Sequence, residues 1–393
     1  MKILFTSAWY PNRYDSMFGL FVQKHAEAVN LFAEVKVLYV HPAEDTDQFE
    51  IIEQYHNKLH EIIVYYPIKP RNFLHKLIKI TNYLKAYKKG FEHIHNAGFF
   101  PDVIHANILT RTGFIASRYA KKRKIPYIIT EHWSRYLPAQ NGYKGTLRKW
   151  LTQKVVREAS AILPISGVLK EAMITHGLKN PNYRIINNVV EDIFFEKKAI
   201  ILHQKKRILH ISCFDEKAKN VRGIINAAYK LSKKRNDFEL VLIGNGADFK
   251  QIYEYALSLD PKSAVFSFIG EKTPNEVACY LQNSDVFVLF SNYETAGVVI
   301  AESLASGTPV ISTKVGIAPE CINARNGILV NPGDEAALLD SMDYMLDHYL
   351  EFDPEQVRKD TREMFSYEEI GKQIFNMYNT VLSKKHKGTC TVS

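Results

Sequence analysis

From its first residues almost to its last, the chain alternates between short apolar runs and segments of helical period. Apolar runs stand at 2–8 (KILFTSA), 34–40 (EVKVLYV), 61–66 (EIIVYY), 102–105 (DVIH), 126–130 (PYIIT) and 160–164 (SAILP), with helix patterns such as 19–31, 110–122 and 166–176 between them. Short runs of this kind read as strands buried on both faces, which strands linked by crossover helices require. The segment 183–190 (YRIINNVV) is expected to close this first series.

A polar, Lys-rich stretch within 193–206 interrupts the rhythm, which restarts with strands at 207–212 (RILHIS), 238–243 (FELVLI), 264–269 (AVFSFI), 285–290 (DVFVLF), 308–312 (TPVIS) and 327–330 (GILV). The expected organisation is an α/β domain over 1–192, a linker over 193–206, a second α/β domain over 207–364, and a C-terminal helix and tail over 365–393. Open α/β sheets bind ligands at the carboxyl ends of their strands, so two such domains can turn their working edges to a common cleft.

The formal net charge of +9 favours anionic partners: nucleic acid, an acidic membrane surface or phosphorylated small molecules. Cys213, Cys279, Cys321 and Cys390 are far apart, without zinc spacing, which suits a reducing compartment and argues against a disulfide framework. No signal-peptide core opens the chain, and no window is long and apolar enough to span a bilayer, so a cytoplasmic location is expected. Cys390 heads a final four residues that formally fit a prenylation box, read here as a plain terminus.

Between Lys69 and Lys89 stand seven Lys or Arg and no acid, while Phe73, Leu77, Ile80, Leu84 and Tyr87 recur at four- and three-residue steps. This is a basic amphipathic helix. Either its apolar stripe faces the domain core, or the helix meets an anionic membrane or a lipid-linked acceptor.

The sharpest chemical signal is SNYETAGVVIAESLASG at 291–307, directly after the strand DVFVLF. Gly297 permits close backbone approach, and a helix starting there offers unpaired N–H groups and a positive dipole end to an anion. Glu294 precedes that helix and Glu302 lies about 7–8 Å further along its axis. Two carboxylates flanking an anion site suit a ligand with hydroxyls at both ends and phosphates in the middle, although the spacing alone also fits an ordinary helix with an acidic start. Gly244 and Gly246 follow the strand FELVLI in a turn of the kind that approaches phosphate or base closely, Gly270 follows AVFSFI, and these glycines are expected to bind the donor; Lys219 follows RILHIS.

Taken together the second half resembles the nucleotide-sugar-binding half of family 4 retaining glycosyltransferases of the GT-B fold. Its pieces stand in family order: a strand with a following Lys, LIGNG, FIG, SDVFVLFSNYETAGVVIAESLASGTPVIST and NGILVNPGD. In the first half the resemblance rests on Ala8-Trp9-Tyr10-Pro11 with Gly19-Leu20-Phe21-Val22, PDVIHAN at 101–107, Thr130-Glu131-His132, and Asn187-Asn188-Val189-Val190.

The resemblance implies two Rossmann-like domains facing across a cleft, with the C-terminal helix returning to the first. Glu302 would hold the ribose hydroxyls of a nucleotide sugar. Glu294, with the amides of Ala296, Gly297 and Val298, would hold the donor sugar. Lys219 would neutralise the departing diphosphate, His132 would lie near the reacting centre, and Gly19 and Asn107 would belong to the acceptor and phosphate loop. An Arg common before the phosphate lysine is missing, so either Lys217 or Arg222 replaces its charge or the diphosphate is held less tightly, and Ala296 stands where a bulkier residue is usual. The implied reaction is a retaining transfer to a glycan or lipid-linked acceptor, with no cofactor and no metal. Asp45-Thr46-Asp47 formally makes a metal-binding DxD but sits in a polar loop. A nucleotide-sugar epimerase on the same fold is the nearer rival. A nucleic-acid-binding protein is the remoter one, since no recognised binding motif accompanies the charge.

Overall fold

The computed structural model describes residues 1–68, 75–197, 201 and 203–389. The chain divides into two compact units, one formed by residues 1–165, 169–189 and 367 onward, the other by 166–168 and 190–366.

The first unit is a seven-stranded sheet of β1 (Lys2–Ser7), β2 (Glu34–Ala43), β3 (Glu50–His56), β4 (Leu59–Pro67), β5 (Val103–Asn107), β6 (Tyr127–Glu131) and β7 (Ala161–Pro164), in the order β3-β4-β2-β1-β5-β6-β7. Helices α1 (Leu20–Asn30), α2 (His75–Asn96), α3 (Arg111–Arg123), α4 (Thr146–Glu158) and α5 (Gly167–Thr175) alternate with the strands. Neighbours are parallel throughout except β3, which runs antiparallel to β4. β1 is central, with Phe5 beside Val37 on one side and His105 on the other.

Several expectations are corrected here. β3 went unread because EIIEQYH is exposed along most of its length and has no buried face to betray it. Its turn, with Asn57 at φ 46° and Lys58 at φ 69°, has the two left-handed residues of a tight hairpin. Residues 183–190 form no strand: only Tyr183 bridges to Ile162, though Ile186 N still donates to the Pro164 carbonyl at 3.1 Å. In the basic segment, 69–74 (with Lys69, Arg71 and Phe73) lie outside the described residues, and the helix runs from His75. Its expected stripe divides. Tyr87 is buried with Ala86 and Ile94, whereas Leu77, Ile80 and Leu84 are 59%, 58% and 45% exposed. The one stripe is thus covered at Tyr87 and left uncovered toward the first turns of the helix.

The second unit holds a six-stranded, wholly parallel sheet of β8 (Lys206–Ile211), β9 (Phe238–Ile243), β10 (Phe266–Phe268), β11 (Val286–Leu289), β12 (Val310–Thr313) and β13 (Gly327–Val330), ordered β10-β9-β8-β11-β12-β13. Around it stand α6 (Asp192–Phe195), α7 (Glu216–Lys219), α8 (Val221–Ser232), α9 (Phe249–Leu259), α10 (Pro274–Gln282), α11 (Val298–Ala305), α12 (Ala318–Cys321), α13 (Glu335–His348) and α14 (Pro354–Phe365). α10 starts with a full capping box, Thr273 and Glu276 satisfying each other's backbone N–H. The sheet's core joins Ile208, Leu240 and Val288 to the buried faces of α8 and α13.

The last helix, α15 (Tyr367–Thr389), belongs to the first unit. Ile370, Ile374, Tyr378 and Val381 recur at helical spacing and join the core that contains Val22, Ala26 and Val29 of α1. A Cβ on Gly371 would stand 2.1 Å from the Ala28 carbonyl oxygen, so the two helices cross at backbone contact. Tyr378 is fully buried, and its hydroxyl lies 2.7 Å from His105 Nδ1, while His105 Nε2 lies 2.7 Å from Thr130 Oγ1. Removing the hydroxyl by Tyr378→Phe leaves a buried imidazole nitrogen unpaired. It should cost about 1–3 kcal/mol, read as a lower urea midpoint for the first unit.

Candidate functional site

In the second unit the loops after β8 and β11 lie side by side, because those strands are paired neighbours. The β8 loop forms the single turn α7, capped by Asp215, and Asn220 at φ 48° breaks it from α8. Lys219 ends that turn. The β11 loop is stitched to it: Asn292 N donates to the Ala218 carbonyl at 2.8 Å and Asn292 Nδ2 to the Lys217 carbonyl at 3.0 Å. These bonds bring Lys219 Nζ onto Glu294 Oε1 in an ion pair whose side chains are only 16% and 11% exposed. Ser291 Oγ donates to the same carboxylate oxygen at 2.8 Å, and Thr313 Oγ1 holds the Ser291 carbonyl at 2.7 Å.

Gly297 then caps α11 in the left-handed conformation, φ 75°, with Val298 as the first helical residue. Ala296 is buried, and its carbonyl accepts from Ile317 N at 2.9 Å. Glu302 sits one turn inside α11, half-buried. Glu294, the 296–298 amides and Glu302 thus occupy one loop and the helix it opens, with Lys219 held at the loop by its ion pair.

Other expected residues stand further off in role. A Cβ on Gly244 would be 1.9 Å from the Ser212 carbonyl oxygen, and one on Gly246 would be 2.6 Å from Phe214 N. What demands glycine there is contact between two strand-end loops. Gly270 (φ 69°) has open space where a side chain would stand, and its carbonyl accepts from Gly244 N at 2.9 Å. The Arg222 guanidinium lies 5.2 Å from the Tyr255 ring centroid on α9, and Lys217 is exposed.

In the first unit the carboxyl ends of β1, β5 and β6 carry a second constellation. Glu131 is fully buried and had been given no role from sequence. Its Oε1 accepts from His132 N (2.9 Å) and Trp133 N (2.8 Å), and its Oε2 from Leu109 N (2.9 Å). The carboxylate therefore fixes both the β5 and the β6 loops. Between them Ile108 adopts φ 69°, an unusual conformation for a β-branched residue and a store of about 1–3 kcal/mol of strain. The missed signal was the Glu itself, a charge at the end of an otherwise apolar strand.

His132 is 6% exposed and packs against Phe21 (centroids 4.5 Å) and His25 (5.4 Å). Burial, aided by His25 and His105, pushes its pKa well below the usual imidazole value, with Asn188 pulling weakly the other way. The ring is neutral, and neither nitrogen makes a well-formed hydrogen bond within the described residues; the same holds for both amide atoms of Asn107 and for Thr6 Oγ1. Both ring nitrogens of His132 are thus open to a water or to a ligand. Gly19 (φ 71°) opens α1 against the backbone of Trp9, where a Cβ would lie 2.4 Å from the carbonyl carbon. Asp45 is committed elsewhere, to Tyr14 and to Arg13 Nη2 at 2.6 Å.

This architecture, two parallel α/β units with loops of this chemistry on their carboxyl edges, is the GT-B glycosyltransferase fold. Two solved structures share it along essentially their whole length. Sucrose-phosphate synthase of Thermosynechococcus elongatus aligns with a TM-score of 0.76 at 18% identity, over 98% of this chain and 100% of that one. Anabaena HepE in complex with UDP aligns at 0.74 and 16%, over 97% and 100%. Residues 192–364 match the family of glycosyl transferases group 1, and residues 26–188 match the glycosyl transferase 4-like domain. The chain belongs to the family 4 glycosyltransferases. Among its relatives, the N-acetyl-alpha-D-glucosaminyl L-malate synthase of Bacillus anthracis is 31% identical over 227 residues, a match spanning 54% of this chain and 58% of that protein.

The buried histidines set a pH dependence. His25 is held down to about 4 by burial, and His105 and His132 are lowered in the same direction by the same cause. Below their unfolded value near 6.5 the unfolded chain binds protons that the folded one refuses, so stability falls as pH falls. Each histidine contributes up to about 1.4 kcal/mol per pH unit in that window. His210, also held down to about 4 by burial, adds to the decline, while Glu131, Glu216 and Asp285, raised by burial, act in the opposite sense. Urea midpoints should be flat above about pH 7 and decline from 6.5 towards 4.

Proposed function

We propose that this protein is a retaining hexosyltransferase that moves a hexose-type sugar from a nucleoside-diphosphate sugar to a glycan or lipid-linked acceptor in cell-envelope polysaccharide or lipopolysaccharide assembly. The observation that carries the reading is the Lys219–Glu294 ion pair beside the N-terminus of α11, with Glu302 one turn further on. The pair keeps a lysine and a carboxylate poised, each ready to exchange its partner for a phosphate and a sugar hydroxyl. Glu302 binds the ribose, and the 296–298 amides and Glu294 orient the sugar. As the anomeric C–O bond breaks, the β-phosphate oxygen takes the electron pair, and Lys219 and the α11 dipole stabilise that charge. The departing oxygen accepts the acceptor hydroxyl's proton as the new bond forms on the same face. Neutral His132 offers one donor and one acceptor to the sugar. HepE was solved with UDP, which makes UDP one of the diphosphates to test.

The reaction proceeds without metal in this reading, Asp45 being engaged by Arg13 and Tyr14. Activity should survive a chelator, and its loss on chelation with recovery on adding a divalent cation would reject that part. The protein works at the inner face of the cell membrane, where exposed Leu77, Ile80 and Leu84 of α2, flanked by exposed Lys85 and Lys88, give it a seat.

Calorimetric titration with UDP, GDP and ADP tests the donor site. One diphosphate should bind, and Glu302→Ala should weaken it about ten- to a hundredfold through loss of charge-assisted hydrogen bonds. A folded protein that binds none of the three overturns the assignment.

A further inference from the structure

α4 carries an arrangement that the transferase chemistry does not use. Its buried face is short, Thr152, Val155 and Val156. Its opening turns push large apolar side chains into solvent, Leu147 at 68% and Trp150 at 58% exposure. Trp150 and Leu151 line a groove of about 430 Å³ with Phe114, Arg118, Lys121 and Lys154, against α3. Lys154 Nζ lies 5.6 Å from the Trp150 ring centroid. α3 and α4 together carry nine Lys or Arg (Arg111, Arg118, Lys121, Lys122, Arg123, Arg148, Lys149, Lys154, Arg157) and one acid, Glu158, already paired with Lys121 at 2.9 Å.

This surface is continuous with α2. Phe91 of α2 stacks on Tyr119 of α3 at 4.1 Å, and α3 packs on α4, so the three helices form one layer. Each follows a strand of the parallel part of the sheet, so their N-termini share one edge of that layer. The exposed apolar residues lie in the first halves of α2 and α4, at that edge, whereas Glu92 and Glu158 lie in the later halves.

We infer that the N-terminal half of α4 is a second membrane-contact element. Trp150 and Leu147 enter the headgroup–acyl boundary of an anionic bilayer, and Arg118, Arg148, Lys149 and Lys154 rest on its headgroups. The charge selects this occupant. The exposed apolar side chains are ringed by lysine and arginine, and lysine is depleted from the cores of protein–protein interfaces, whereas interfacial tryptophan ringed by basic residues suits an anionic lipid surface. The inference deepens the membrane-seated reading of α2 and rests on it for its biological purpose.

The test uses the full chain and vesicles of phosphatidylcholine with and without phosphatidylglycerol. Wild type should sediment with the anionic vesicles, and a Leu147→Ser/Trp150→Ser variant should partition about tenfold less. Brominated acyl chains should quench wild-type fluorescence, and Trp150→Phe should remove that quenching, leaving the signal of Trp9 and Trp133. Nucleoside-diphosphate binding should be unchanged in these variants, which separates failure here from failure of the donor site. Undiminished vesicle binding by the double variant, with α2 intact, would overturn the role of α4. So would a wild type indifferent to anionic lipid, or a double variant whose only change is loss of a dimer seen by light scattering.

Discussion

Parallel strand pairing governs the rest of the molecule. A parallel pair cannot be closed by a tight turn, so every connection must cross over a face of the sheet, and helices follow. The same constraint sends the carboxyl ends of neighbouring strands to one edge, where loops far apart in sequence become neighbours. β8 and β11 are adjacent in the sheet though 75 residues separate Lys219 from Glu294, and that adjacency makes the ion pair. In the first unit, β5 and β6 are paired in the same way, and Glu131 spans their two loops.

Both edges hold polar groups in nearly dry environments. In the second unit the lysine and glutamate satisfy each other, which limits the cost of holding charge in a half-dry loop. In the first unit the His132, Asn107 and Thr6 side chains are buried without a well-formed hydrogen bond among the described residues, while the Glu131 carboxylate beside them is fully used. One carboxylate does the structural work, so the neighbouring side chains are left available. The strained Ile108 turn fits the same pattern, since a conformation of that cost persists only where its surroundings over-determine it.

The positive charge also acquires a location. The first unit's layer of α2, α3 and α4 is rich in lysine and arginine and carries apolar side chains at one edge, while α15 covers α1. A chain-wide net charge of +9 becomes a directional surface once helices are laid side by side.

Local sequence determined the strands, the crossovers and the chemistry of the α11 loop, because burial on both faces and a left-handed glycine before a helix leave marks in a few consecutive residues. It could not show β3, whose exposed side chains bear no burial signature and whose place comes from pairing with β4. Nor could it divide the α2 stripe: Leu77, Ile80 and Leu84 share a periodic pattern with Tyr87, and only packing decides which of them are covered. Nor could it show that Gly244 and Gly246 lie against the backbone of Ser212 and Phe214, a contact that by itself demands glycine. Glu131 looked like one letter of a motif until tertiary structure gave it three backbone donors. Sequence thus set the elements that carry a burial signature of their own, because that signature lies in residues a few positions apart. The partners of each polar group were decided by the fold alone, because hydrogen bonds and ion pairs depend on distances that only the assembled sheet brings within reach.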